Sequence, residues 1–240
     1  MKESQKRTIS LIGEEAQQKL ERSRVLIFGI GGVGGHLTEA LARAGVGHLT
    51  LVDHDTVAES NINRQLFATR STLGMKKVEA AKARIFDIDP DIEVECRDEF
   101  FLPENADSFD FSTYDCVVDC IDTVSGKIEI AVRANRAGVE VISAMGAANK
   151  LSAQSFEISD IYKTSVCPLA RVMRTELRKR GVKHLKVVYS REEAKTPMLG
   201  DLDRNGRRVP SSISYVPAAA GLVMAEAVIA SLLRAYGSQL

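Results

Sequence analysis

A glycine-rich hexapeptide set between two short apolar runs constrains this chain more than any other feature. Val25-Leu26-Ile27-Phe28 is continuously apolar, the pattern of a strand buried on both faces. Gly29-Ile30-Gly31-Gly32-Val33-Gly34 follows and fits G-x-G-x-x-G. His36 to Ala44 then reads as a helix, and Leu49-Thr50-Leu51-Val52 as a second strand ending on Asp53. In this strand–turn–helix–strand context the spacing has a physical meaning. Gly29, Gly31, Gly32 and Gly34 permit a tight turn and close backbone approach. The helix start offers unpaired N–H groups to a phosphate, and Asp53 can accept from ribose hydroxyls. The pattern points to a nucleotide without choosing among nucleotides.

The alternation continues along the chain. Leu11 to Glu21 is expected as one helix ahead of the first strand. His54 to Leu73 is polar and irregular, and Val78 to Ile88 repeats apolar residues at helical spacing until Pro90. Ile92 to Cys96 alternates as a strand, Asn105 to Tyr114 is polar with a short helix, and Asp115 to Ile121 is a buried strand with Asp122 at its end. Ile128 to Ala137 reads as a helix closed by Gly138, and Val139 to Ser143 as the next strand. This order predicts an α/β fold, a Rossmann-like, doubly wound, mostly parallel sheet. The chain is expected to be a single domain, with a nucleotide-binding core over residues 1–150 and a C-terminal extension over 151–240.

The extension carries a short strand at Phe156 to Ile158, a basic helix from Leu169 to Arg180 and a strand from Leu185 to Tyr189. Arg191 to Pro210 lacks periodicity and reads as an exposed crossing segment. The apolar run Val216 to Leu233 contains Pro217 and Glu226 and is rich in Ala and Gly, so it reads as a buried or subunit-interface helix rather than a membrane span.

Composition closes off other classes. With 45% hydrophobic and 27% charged residues the chain is not disordered wholesale, and its zero formal net charge confines any nucleic-acid site to a local patch. The polar start MKESQKR has no secretory core, which makes the cytoplasm the expected location. Cys96, Cys116, Cys120 and Cys167 include no C-x-x-C pair, so neither a disulfide framework nor a four-thiolate zinc site is expected. Alternation puts Cys116 and Cys120 on one face of their strand, where packing explains both. His36, His48, His54 and His184 form no metal-ligand cluster in the sequence.

Several charged residues fall where open sheets place ligands, at strand ends and helix starts. Asn61, Arg64 and Gln65 follow the second strand; Lys77 begins a helix, where its ammonium and the helix dipole can face one phosphate. Asp122 can hold magnesium or orient phosphates.

Taken together, GIGGVG, LVDHDTV, SNINRQ, GMKKVEAAKARI and DCIDT resemble the ubiquitin-activating-enzyme-like adenylyltransferase superfamily, and the resemblance extends over essentially the whole chain. DIYKTSVCPLARVMRTELRKRGVKHLKVVYS, from Asp160, is most similar to the branch that dehydrates N6-threonylcarbamoyladenosine in tRNA. The resemblance implies ATP with Mg2+, and transfer of AMP to a carboxylate. By position, Asp53 would bind the ribose, and Asn61 and Arg64 the phosphates and metal, with Asp55 and Gln65 beside them in the nucleotide site. Lys77 would contact the α-phosphate and Asp122 would support magnesium. Arg7 matches an arginine that reaches the partner's ATP in family homodimers, which implies a homodimer with sites completed in trans. Arg171, Arg174, Arg178 and Lys179 of the basic helix would meet tRNA phosphates, and a sulfur-relay protein is a further possible partner.

Three other readings compete. Activation of the C-terminal Gly-Gly of a ubiquitin-like sulfur carrier is the principal one, although relatives of that kind often carry the C-x-x-C pairs absent here. An NAD-dependent oxidoreductase would use the glycine loop and Asp53 but leave Arg64, Lys77 and Asp122 without work, and a non-catalytic scaffold would leave all of them so. Cys167, beside Pro168 and near Lys163 and Arg171, invites a thioester or sulfur-transfer role that the resembled branch does not need.

Overall fold

A computed structural model of the protein describes residues 2–199, 202, 206 and 209–234. Arg24–Phe28 (β1), His48–Val52 (β2), Glu93–Arg97 (β3), Cys116–Asp119 (β4), Glu140–Ala144 (β5), Phe156–Asp160 (β6) and Lys186–Ser190 (β7) join in one seven-stranded sheet, in the order β3-β2-β1-β4-β5-β7-β6. Every neighbouring pair is parallel except β6 with β7. The helices are Lys6–Ile12 (α1), Glu14–Arg22 (α2), Gly32–Arg43 (α3), Lys77–Ile88 (α4), Val124–Ala137 (α5), Pro168–Lys179 (α6) and Tyr215–Leu232 (α7). The expected doubly wound α/β architecture is the one found.

The central strands read as unbroken apolar runs because both of their faces are covered. Val25, Ile27, Leu49, Leu51 and Val118 pack under α3, α4 and α7. Leu26, Phe28 and Val117 face the other way, toward Phe101, Phe109, Phe111 and the apolar side of α5. Phe28 meets three aromatic rings, with centroids at 4.5, 5.3 and 6.0 Å. Burying such a side chain stabilises the fold by roughly 1.5–3 kcal/mol. Beyond this, α5 and α6 enclose Val187 and Tyr189 of β7.

Some boundaries depart from the sequence reading. The helix expected over Leu11 to Glu21 is two helices, broken at Gly13, whose φ of +85° no helical residue adopts. β4 stops at Asp119, so Asp122 lies three residues beyond the strand rather than at its end. α3 begins at Gly32, inside the glycine motif, and not at His36. Gly138, at φ +69°, closes α5 as expected. Cys116 and Cys120 do share a face, both packing into the cluster beneath α3 and α7.

The C-terminal helix α7 has 18 residues and a mean hydropathy of 1.7, and half of it is buried. It packs along α3 and against β5, β6 and β7. A Cβ on Gly221 would lie 2.5 Å from the Val33 carbonyl oxygen, so this helix is fitted into the core at close range. Residues 191–199 of the crossing segment form neither helix nor strand, while 200–201, 203–205 and 207–208 lie outside the described residues.

Candidate nucleotide site

β1 leads through β2 to β3 on one side of the sheet, whereas β4 leads to β5 on the other. The neighbouring C-terminal ends of β1 and β4 therefore bound a crevice at a topological switch point, where open α/β sheets take ligands. Gly29 turns the chain there with φ +89°, its N–H donating to Val52 O at 2.8 Å. A Cβ on Gly29 would meet the Cys120 carbonyl carbon and oxygen at 2.8 Å, and one on Gly34 would lie 1.8 Å from Gly29 O. The first helical bond of α3 runs from Gly35 N to Gly31 O, so the preceding N–H groups have no acceptor in the helix, the arrangement that suits a helix start to an anion.

Asp53 has two tasks. Its Oδ2 accepts from Ile30 N at 2.7 Å and its Oδ1 from Asp55 N at 2.9 Å, so this carboxylate braces the glycine loop from the end of β2. Lys77, only 6% exposed at the start of α4, puts its Nζ 2.6 Å from Asp55 Oδ2 and 4.0 Å from Asp53 Oδ1. His54 packs edge-on against Phe100 with centroids 4.4 Å apart, and Asp53, His54 and Asp55 can offer ligand atoms within 4.8 Å of one another. The sequence pattern placed no histidine in such a group; the turn after β2 does, with Asp53 sheltered beside Lys77 and His54 and Asp55 exposed.

The turn after Glu59 lies over the glycine loop. Gln65 Nε2 is 3.9 Å, and Arg64 O 3.6 Å, from where Cβ atoms on Gly31 and Gly32 would sit. Arg64 Nη1 donates to Ser60 O and Asn63 Oδ1, both at 2.8 Å, and Asn61 Oδ1 accepts from Ala58 N at 3.1 Å. Asp122 is exposed beyond β4 at the same edge. Around the glycine loop the structure thus brings Asp53, Asp55 and Lys77 together from one side and the Arg64–Gln65 turn from the other, with Asp122 three residues past the end of β4.

Residues 3–239 match the pattern of the ThiF family. The chain belongs to the ThiF family. The tRNA threonylcarbamoyladenosine dehydratase of Bacillus subtilis (strain 168) is 41% identical over 233 residues, spanning 93% of this chain and 92% of that protein. The solved structure of the Escherichia coli tRNA N6-threonylcarbamoyladenosine dehydratase in complex with ATP superposes with a TM-score of 0.88 at 29% identity, covering 98% of this chain and 96% of that one. The molybdopterin-synthase adenylyltransferase of Haemophilus influenzae is 40% identical over a shorter stretch, 58% of this chain and 56% of that protein.

In this ThiF-family chain two groups of expected site residues lie elsewhere. Arg7 is exposed on α1, whose neighbours Gln5 and Ile9 line a cavity of about 600 Å³ with Gly47 and His48 at the start of β2. That is the opposite end of the sheet from Asp53, so Arg7 does not reach the crevice of its own chain. On α6, Arg174 is half-buried and donates to Thr164 O at 3.1 Å and to Thr164 Oγ1, while Arg178 sits 5.3 Å from the Tyr162 ring centre. Lys179 and Arg180 pair with Glu176 at 2.7 and 2.6 Å. Arg171 is exposed and, among the described residues, makes no ion pair.

Sequence reasoning missed a buried trio under Asp122. Lys127 Nζ lies 2.8 Å from Asp119 Oδ2, and Ser143 Oγ donates to the same carboxylate oxygen at 2.5 Å. The signal was present: Lys127 shares a helix face with Ile130, Ala131 and Ala134, where a lysine has no place unless it is paired. The thiols are quieter than their number suggests. Burial pushes Cys96 up to about 11 and both Cys116 and Cys120 up to about 12, so all three stay protonated at neutral pH. Cys167 is 5% exposed at the N-cap of α6.

Proposed function

We propose that this chain activates the threonyl carboxylate of N6-threonylcarbamoyladenosine in tRNA with ATP and so drives its dehydration to a cyclic form. A carboxylate is a poor acyl donor because hydroxide leaves badly. Attack of its oxygen on the α-phosphorus of ATP expels pyrophosphate and yields an acyl-adenylate, whose leaving group is AMP. The substrate's own carbamoyl group then attacks the acyl carbon, AMP departs, and a ring closes with net loss of water. Proximity within the modified nucleoside supplies the nucleophile, so the protein need not.

In this reading the N–H groups at the start of α3 and the Lys77 ammonium stabilise charge on the equatorial oxygens of the α-phosphate as pyrophosphate leaves. Arg64 adds positive charge from the neighbouring turn, and Asp53 orients the ribose while bracing the loop. The exposed carboxylate of Asp122 suits magnesium, which takes one or two protein carboxylates together with phosphate oxygens. The metal would supply charge neutralisation at the leaving pyrophosphate. Arg7 serves the crevice of a second copy, making the active form a homodimer, and Arg171, Arg178 and Lys179 meet tRNA phosphates. Residues 1–150 hold the nucleotide and 151–240 the substrate and dimer contacts. A cytoplasmic enzyme is the natural setting, and a sulfur-relay protein would be an accessory partner.

The observation that carries this reading is Lys77. A sheltered ammonium between Asp53 and Asp55, on the edge that holds the glycine loop, is suited to meet a phosphate undergoing transfer, a task for which hydride chemistry has no comparable need. The similarity to proteins of this activity along nearly the whole chain supports it. ATP–pyrophosphate exchange tests it: exchange should be stimulated by tRNA bearing the modification and not by unmodified tRNA. Lys77→Ala should lower it about 10²–10³-fold with the circular dichroism spectrum unchanged. Exchange driven by a ubiquitin-like sulfur carrier but not by modified tRNA would replace this reading with the alternative.

A further inference from the structure

We infer that Lys127 is a positioning residue for adenylation: its buried ammonium ties the turn that carries Asp122, and the first glycine of the nucleotide loop, to the end of β5. The inference rests on the function proposed above for Asp122 and the glycine loop.

Lys127 is 0% exposed and Asp119 1%. A lysine ammonium has three donors and cannot be buried cheaply unless each finds an acceptor. Here each does: Asp119 Oδ2 at 2.8 Å, Ala144 O at 2.8 Å and Ile121 O at 3.2 Å. Two of these acceptors are main-chain carbonyls from different places, one at the last residue of β5 and one in the turn just before Asp122. Asp119 holds the same turn from its other oxygen, accepting from Ile121 N at 3.3 Å, and is itself fixed by Ser143 of β5. The turn in turn abuts the glycine loop, since a Cβ on Gly29 would stand 3.0 Å from Ile121 N. One ammonium therefore sets the relative position of three segments: the exit of β4 with Asp122, the Gly29 bend and the end of β5.

Stability alone does not account for this choice. Replacing a buried ion pair by uncharged groups of similar volume is often neutral or stabilising. An apolar side chain would fill the space as well but could not hold two carbonyls in fixed directions. Fixed direction is what an in-line attack at phosphorus requires, and a displacement of about 1 Å can cost about 10²-fold in rate.

The test uses the full chain with ATP, Mg2+ and modified tRNA in the pyrophosphate-exchange assay. Lys127→Met strands the Asp119 carboxylate and should lower Tm. The double variant Asp119→Asn, Lys127→Met removes both charges at similar volume and should recover part of the lost Tm, the Ile121 and Ala144 carbonyls remaining unpaired. Lys127→Arg keeps the charge but presents a planar fork that cannot reach the same three acceptors. In all three, kcat for exchange should fall about 10–100-fold, with KM for ATP little changed and half-maximal exchange shifted to higher Mg2+ concentration. Wild-type kcat and Mg2+ dependence in either the double variant or Lys127→Arg would overturn the inference, as would a loss of kcat that follows Tm across the three. Absence of exchange in the wild-type protein would instead sink the proposed function itself.

Discussion

The crevice between β1 and β4 and the outer surface of α6 are both charged, yet they are built on opposite plans. In and beneath the crevice the innermost charges are sheltered and held in fixed geometry, Asp53 by Ile30, Lys77 by Asp55 and Lys127 by β4, β5 and the turn between Asp119 and Asp122, while Asp55 and Asp122 stand exposed at its mouth. On α6 they are many and exposed, and they are answered nearby, as Lys179 and Arg180 are by Glu176. Sheltered charges act through a low dielectric and fixed geometry, so each carries a large effect that salt barely touches. Exposed charges are screened within about 10 Å at ordinary salt, so each carries a small effect and the surface works by summation. Arg174 crosses the divide: it sits in the basic helix but is spent on Thr164, as a crevice residue would be.

Glycine substitutions break the crevice plan most severely. Gly34→Ala drives a methyl group to 1.8 Å from a backbone oxygen that has no room to retreat. It should cost about 1–3 kcal/mol in thermal or denaturant unfolding and weaken ATP binding by calorimetry at least tenfold. Gly31→Ala is the matched control, since its nearest neighbour would be a flexible glutamine nitrogen at 3.9 Å, and it should leave stability near wild type.

The contrast within α6 gives smaller but separable effects. Arg174→Ala should lose about 1.5–3 kcal/mol of stability through its charge-assisted bonds to Thr164, with little dependence on salt. Arg171→Ala should leave Tm unchanged, weaken tRNA binding a few-fold, and reduce the slope of log affinity against log salt by about 1. Equal behaviour of the two variants would mean that Arg174 is no more committed to the fold than Arg171.

Cysteines supply the smallest effects. Cys116, buried and held up near 12, should resist thiol reagents at pH 7–8 in the native protein and react only on unfolding, while the partly exposed Cys120, also near 12, should react slowly. Their folded values lie above the ordinary 9.0, so the stability they contribute is intact below that value and is lost as pH climbs from there toward about 12. An alkaline denaturation series with the single Cys→Ala variants measures it. Cys167→Ser should change neither exchange nor cyclisation, because serine caps a helix at least as well as cysteine; loss of cyclisation alone would revive a sulfur-transfer role.

The α/β alternation, the glycine bend, Asp53 at the end of its strand and Lys77 at the start of its helix were all determined by the sequence itself. Each depends on local rules: an apolar run long enough for a strand, a backbone angle only glycine tolerates, a charge one turn from a helix end. The tertiary structure alone decided that β4 lies beside β1, that β6 runs backwards at the sheet edge, that Gly13 divides a helix, and that Arg7 stands at the far end from the crevice its own chain forms. It also decided that Lys127, which periodicity places on an apolar face, finds Asp119, Ile121 and Ala144 as its three acceptors. The physical reason is one of range. Periodicity reports which face of an element is apolar but not what that face meets, and a buried charge is explained only by partners that the packing of other segments brings to it.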